Sequence, residues 1–128
     1  MDGKVNIINW FEVSVGDINR AKTFYETVFA IKMSDTVDMM GMKMSFFPGE
    51  EMNGKVSGGL VEGMMHKPSM DGAKLYFNGN PDLADALSRV EAAGGKITMP
   101  KTHINAEVGY MAFFIDSEGN AVAMHSNG

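Results

Sequence analysis

Six side chains in this sequence are equipped to act on a small molecule: Trp10, Glu12, Lys74, Tyr76, Asn78 and His125. A carboxylate becomes a general base when burial raises its pKa. An imidazole titrates near neutral pH. An ammonium holds an anionic group or stabilises an oxyanion. Glu12 and His125 are therefore the acid–base candidates. Lys74, Tyr76 and Asn78 are candidate ligand contacts, with Trp10 as an aromatic wall. Plainer roles compete with each. Lys74 neutralises Glu12 if the two form an ion pair at a rim, and His125 is an unremarkable histidine if it stays in solvent. His66 and His103 fall in loops beside Pro68 and Ile104 and read as exposed. No Ser-His-Asp or phosphate-loop spacing occurs, and Gly58-Gly59 alone does not make one.

Period-two alternation places those six residues on shared faces. Phe11, Val13 and Val15 alternate with Trp10, Glu12 and Ser14. Leu75 and Phe77 alternate with Lys74, Tyr76 and Asn78, and Val122 and Met124 with Ala121, Ala123 and His125. The apolar sets are expected to pack under helices. The other sets are expected to converge on an open concavity, the setting of small-molecule sites.

The elements that carry these faces come twice. A strand at Asn9–Val15 leads through Asp17, a good N-cap, into a helix with Ala21, Phe24, Tyr25, Val28 and Phe29 at helical spacing. Strands follow at Lys32–Val37, Met42–Phe47 and Ser57–Val61, the first two joined by a turn near Asp38–Gly41. Pro48–Glu51 and Met52–Lys55 read as loops, and Gly63–Gly72 as a connector. The second copy has a strand at Ala73–Asn78 and a helix capped by Asn80, with Pro81 at its first position. That helix carries Leu83, Ala86, Leu87, Val90 and Ala93 and stops at Gly94-Gly95. Strands at Lys96–Met99, Gly109–Ile115 and Ala121–Ser126 follow. Pro100 breaks the first, Lys101–Val108 is a polar loop, and Asp116–Asn120 is a strong turn. The offset of about half the chain is that of an internal duplication. The fold class is α+β: two βαβββ modules, about 5–63 and 73–128, in one domain of residues 1–128.

Composition narrows the partners. A net charge of −5, with the basic residues scattered singly, argues against nucleic acid. With no cysteine, disulfides and thiolate chemistry are excluded. No apolar run is long enough to cross a bilayer and no signal stretch follows Met1, so the expected location is cytoplasmic, without a membrane partner. The 13 methionines, many within Met33–Met52 and at Met64, Met65 and Met70, read as flexible core filling or as an adaptable apolar pocket wall.

This order, with its local sequences, resembles the vicinal oxygen chelate superfamily of glyoxalase I, extradiol dioxygenases and bleomycin-resistance proteins. The most specific stretches are Trp10–Asp17 with Arg20–Phe29, and Gly109–Asn120, where Ser117 stands in place of the usual Pro. Ala30 departs from the Gly often found after the first helix. The resemblance implies curled sheets with helices on the convex side and a divalent ion held by His, Gln or Glu. Counted from Asp17 and Asp116, the ligand positions look like Trp10, Lys74 and Ala123, with the fourth in Ser57–Val61. Indole, ammonium and methyl groups do not ligate a cation. Glu62, just beyond, is a single carboxylate, and a catalytic ion takes about three protein ligands. The expected site residues for a metal are therefore none, and the expected cofactors none. The expected function is metal-independent binding of a small molecule, as in the drug-sequestering branch, by a homodimer. The alternative is an isomerase, epimerase or lyase that uses Glu12 and His125 or a rebuilt metal site.

Overall fold

The computed structural model describes residues 2–49 and 55–128. The element order is β1 (Trp10–Ser14), α1 (Ile18–Phe29), β2 (Val37–Met39), β3 (Met42–Phe46), β4 (Ser57–Glu62), then β5 (Tyr76–Asn78), α2 (Leu83–Leu87), β6 (Lys96–Asn105), β7 (Gly109–Ile115) and β8 (Ala121–Ser126). The strands form two four-stranded sheets, β1-β4-β3-β2 and β5-β8-β7-β6. In each, the first strand pairs parallel with the last, and the remaining pairs are antiparallel. This is the twofold βαβββ plan expected of an α+β chain. Among the described residues no helix is long and apolar enough to cross a membrane.

The inner faces share one core. Val13 and Val15 of the first unit and Val122 and Met124 of the second are buried in it, as the alternation requires. Aromatic residues of α1 fill the space between the sheets. Phe24 meets Phe114 at 6.2 Å, Tyr25 meets Phe47 and Phe77 at 5.5 Å, and Phe29 meets Phe77 at 5.2 Å between centroids. Gly58 pairs with Phe11 across β1 and β4, and a Cβ there would collide with the Phe11 carbonyl and ring.

Several boundaries differ from the sequence expectation. The strand expected at Lys32–Val37 begins only at Val37. Met33 N–H donates instead to the Glu26 carboxylate, and Ser34 exchanges bonds with Phe46 through its own hydroxyl and amide, so no regular ladder forms. Met40 and Gly41 have φ of 53° and 79°, the paired left-handed conformation of a two-residue type I′ hairpin. The second helix is capped by Asp82 rather than Asn80, and starts at Leu83. The Asp82 carboxylate accepts from Ala84 N–H, while the Asn80 side chain accepts from Asn127 N–H. Lys101 donates to Asp82 at 2.8 Å, and that hydrogen bond lowers the Asp82 pKa. β5 is shorter than expected. β6 is longer and runs through Pro100 to Asn105, so Lys101–Asn105 is strand rather than loop. It is an edge strand with register shifts either side of Pro100, which is how a sheet tolerates a residue without an N–H. The loops expected at 48–51 and 52–55 lie mostly outside the described residues.

The turn Asp116–Asn120 binds the two halves. The buried Tyr25 hydroxyl donates to Asp116 at 2.7 Å. Burial, then the Asp116 charge, push the Tyr25 pKa well up. Asn120 donates to Ser14 O and accepts from Ser69 N–H. The Glu118 side chain, shielded from solvent, accepts from Gly16 N–H, Asp17 N–H and Arg20, the last at 2.7 Å. Desolvation alone would raise its pKa. The Arg20 guanidinium, the Ser117 hydroxyl and the two amides outweigh that and bring it from 4.5 to about 2.

Two predictions follow from these contacts. Because the folded pKa of Glu118 is depressed, its contribution is complete above pH 4.5 and is lost as pH falls toward 2. Glu118→Gln should cost about 2 kcal/mol at neutral pH, and its urea midpoint should fall less steeply than wild type over that acid window. At the end of α1, Ala30 takes a left-handed φ of 53°, a conformation costly for any side chain. Ala30→Gly should raise stability by roughly 0.5–1 kcal/mol in the same measurement.

Candidate functional site

The register assigns the outer face of each sheet. On the first sheet, Trp10 pairs with Ser57, Glu12 with Gly59 and Ser14 with Val61. Across β3, Gly59 pairs with Phe46 and Val61 with Met44. On the second, Tyr76 pairs with Ala123 and Asn78 with His125, and these in turn pair with Phe113 and Met111. The inner faces of both sheets contribute to one core.

The expected site residues therefore divide between faces. Tyr76, Asn78 and His125 come together in a cavity of about 510 Å³ on the second sheet, completed by Phe77, Asn80, Ile104, Val108 and Met111. Trp10 lines a different cavity of about 840 Å³ at one end of the first sheet, with Phe46, Lys32, Lys55 and Ser57. Its ring meets Phe46 edge-on at 5.7 Å. Glu12 borders a third, of about 220 Å³, with Lys67, Ser69, Asn120 and, from the second unit, Ala73, Leu75 and Ala121. Lys74 does not reach Glu12. Its amine donates to Ala121 O at 3.5 Å and stands 5.8 Å from the Phe113 ring centre.

Glu12 is instead paired with His66, whose Nε2 lies 2.7 Å from the carboxylate. His66 was expected to be exposed. The bridge between Gly63 and His66 turns the chain back onto the sheet and largely buries the ring. His103, the other loop histidine, lies on β6 against Tyr110 at 5.1 Å.

In the second-sheet cavity, hydrogen bonds fix which polar atoms face outward. The Val108 carbonyl only accepts, so His125 Nε2, 2.6 Å away, donates to it. Asn78 Oδ1 accepts from Asn80 N–H, and Asn80 Oδ1 accepts from Asn127 N–H. Both side-chain NH₂ groups are thereby left as donors. Ile104, Val108 and Asn80 had no sequence signal for a role here, because the β6–β7 tip folds onto this face only in three dimensions. Asn105 shapes that tip by accepting from Glu107 and Val108 N–H.

The donor set does not fit the divalent ion implied by the resemblance. Trp10, Lys74 and Ala123 occupy three of the positions, and the β4 residues on the outer face are Ser57, Gly59 and Val61. Glu62 is not brought in by a slip of register. Its carboxylate faces the helix side and accepts from Ile18 N–H at 2.9 Å. Among the described residues no group of three or more His, Asp or Glu could hold a metal.

The glyoxalase/bleomycin resistance protein/dioxygenase superfamily model matches residues 7–124. No curated protein matches the sequence. Solved structures show the same fold. Glyoxalase I from Zea mays superposes with a TM-score of 0.71 at 19% identity, covering 93% of this chain and 44% of the maize chain. The present chain thus spans less than half of that enzyme. A glyoxalase/bleomycin resistance protein from Albidiferax ferrireducens gives 0.67 at 22% identity, covering 93% and 98%. TnmS3, an antibiotic-binding protein from a Streptomyces species, gives 0.67 at 20% identity, covering 97% and 98%.

The bond from His125 to Val108 generates a prediction. His125→Ala should free the β6–β7 tip and speed amide exchange at Glu107 and Val108 about fivefold, the equivalent of one lost hydrogen bond of roughly 1 kcal/mol. His125→Gln, which keeps a donor, should restore most of the protection.

Proposed function

The chain belongs to the glyoxalase/bleomycin resistance protein/dioxygenase superfamily, and on that premise we propose that it binds a small molecule without a metal, on the outer face of its second sheet. The observation that carries this reading is the cavity of about 510 Å³, which has apolar walls and three outward polar groups. Tyr76, Met111, Ile104 and Val108 offer a surface for a flat apolar ligand. The NH₂ groups of Asn78 and Asn80 call for acceptor oxygens, so the ligand class is a planar aromatic compound bearing carbonyl or carboxylate groups. Lys74, beside the Phe113 ring, adds positive charge near the Tyr76 end. The antibiotic-binding neighbour supports the same kind of role.

The acid–base reading of Glu12 with His125 finds no support in the geometry. The two line separate cavities, and each is already bonded, to His66 and to Val108 O. Trp10 lies on the other outer face and contacts a ligand bound here only if a second copy brings it across. A homodimer is accordingly part of the proposal. Its support is the exposure of large apolar residues on these faces, with Trp10 45% and Tyr76 52% accessible. A cytoplasmic location and the absence of nucleic-acid or membrane partners belong to the same reading.

The experiment is a thermal-shift and calorimetric screen of planar aromatic carbonyl and carboxylate compounds, run with and without EDTA. A binder at a hundredfold excess over its Kd should stabilise the protein by about 2.7 kcal/mol. EDTA should leave that shift unchanged and Tyr76→Ala should remove it. Loss of binding in EDTA would sink metal independence. Turnover of a bound compound would replace the binding role with a catalytic one.

A further inference from the structure

The end of the first sheet opposite Trp10 gathers methionines. Met39 and Met42 are direct cross-strand partners either side of the β2–β3 turn, and Met44 follows on the same outer face. β3 runs antiparallel to β4, with Lys43 opposite Glu62. This brings Met42 over Gly63, where its Sδ would lie 3.6 Å from a Cβ on that glycine. Met64 and Met65 come next and form the tip of the Gly63–His66 turn, 94% and 90% accessible. The two turns adjoin through the Met42–Gly63 approach, and between them they carry Met39, Met42, Met64 and Met65.

His66 closes the same turn, and its hydrogen bonding is lopsided. Its Nε2 faces the Glu12 carboxylate at 2.7 Å. A carboxylate accepts, so Nε2 is the donor in this contact. That Nδ1 is buried and, among the described residues, has no hydrogen-bond partner. A histidine whose one ring nitrogen donates to a carboxylate while the other stays open has the arrangement of a metal-ligating histidine. Thioethers are soft donors that select Cu(I) over hard or borderline divalent ions. Methionine's rotatable side chain lets the exposed tip close over a bound ion.

We propose that this end of the sheet binds one soft monovalent cation, Cu(I) or its analogue Ag(I). The ligands are the Met39 and Met42 thioethers, one thioether from the Met64-Met65 tip, and His66 Nδ1, with Glu12 as the positioning residue for the imidazole. The site is distinct from the ligand cavity on the second sheet, and neither depends on the other.

The test uses the full chain, reduced and metal-free under anaerobic conditions, competing with bicinchoninate for Cu(I). Wild type should withdraw one equivalent. Met39→Leu/Met42→Leu, which conserves apolar volume, should bind at least tenfold more weakly with an unchanged melting curve. His66→Gln should weaken binding to a similar degree. Zn(II) should not be retained against a matched chelator. With Ag(I), the methyl resonances of Met39 and Met42 should shift while those of the buried Met33 and Met124 do not. No withdrawal of Cu(I), equal withdrawal by the double methionine variant, undiminished binding by His66→Gln, retention of Zn(II), or unmoved Met39 and Met42 signals would each overturn the proposal.

Discussion

The rest of the structure depends on two carboxylates in one five-residue turn. Asp116 receives the Tyr25 hydroxyl from the middle of α1, and Glu118 receives the amides and guanidinium at the start of the same helix. Asn120, at the turn's end, holds Ser14 of β1 and Ser69 of the connector. One turn of the second unit thereby fixes the first strand and first helix of the other. Burying two acidic groups is costly unless nearly every lone pair is met. Here hydroxyl, amide and guanidinium donors meet them, and the low pKa of Glu118 records that they more than offset desolvation.

This staple determines where the working faces lie. With the β7–β8 turn tied to the head of α1, the helix is held between the inner faces of both sheets. Its aromatic residues then pack on Phe47 and Phe77 together. The outer faces of the two sheets are left free of that core. Each therefore carries its own set of groups. One has Trp10 and Phe46 at one end, the Glu12–His66 pair in the middle and the methionines at the other end. The other has Tyr76, Phe113, Asn78 and His125. Within one chain Trp10 and the Tyr76–His125 set line separate cavities, and the faces meet only at the small cavity that Glu12 borders with Ala121.

What was legible in the sequence follows from the range of each interaction. Period-two alternation is local, and it correctly separated Val13, Val122 and Met124 from Glu12, Tyr76 and His125. The Asp17 cap and the duplication were equally local. The alternation could not say whether two outer faces meet, because that depends on packing between units far apart in sequence. It therefore joined Glu12 to Lys74 and His125, which the fold separates. The Asn80–Pro81 pair carried a strong helix-start signal. Asp82 prevailed because its carboxylate also meets Lys101 from β6, a contact invisible to a local reading. Pro100 signalled a break, yet an edge strand with shifted register accommodates it. His66 looked like a loop histidine because nothing nearby in sequence points to Glu12, 54 residues away.

Ala123 shows how one small side chain sets the chemistry of the second outer face. It has no accessible surface and sits in register between Tyr76 and Phe113, whose rings meet edge-to-face at 6.1 Å. A methyl group leaves room for that contact. A carboxylate or imidazole at the same point would have to displace the rings or be buried against them without a partner, at a cost of several kcal/mol for a charge. Lys74, with its amine 5.8 Å from the Phe113 ring centre, adds a cation where a metal would need anions. Once the central position is small, the flanking aromatics can close over it, and once they close, a ligating residue no longer fits. The result is an aromatic contact at the middle of the face, with Asn78 and Asn80 at its border.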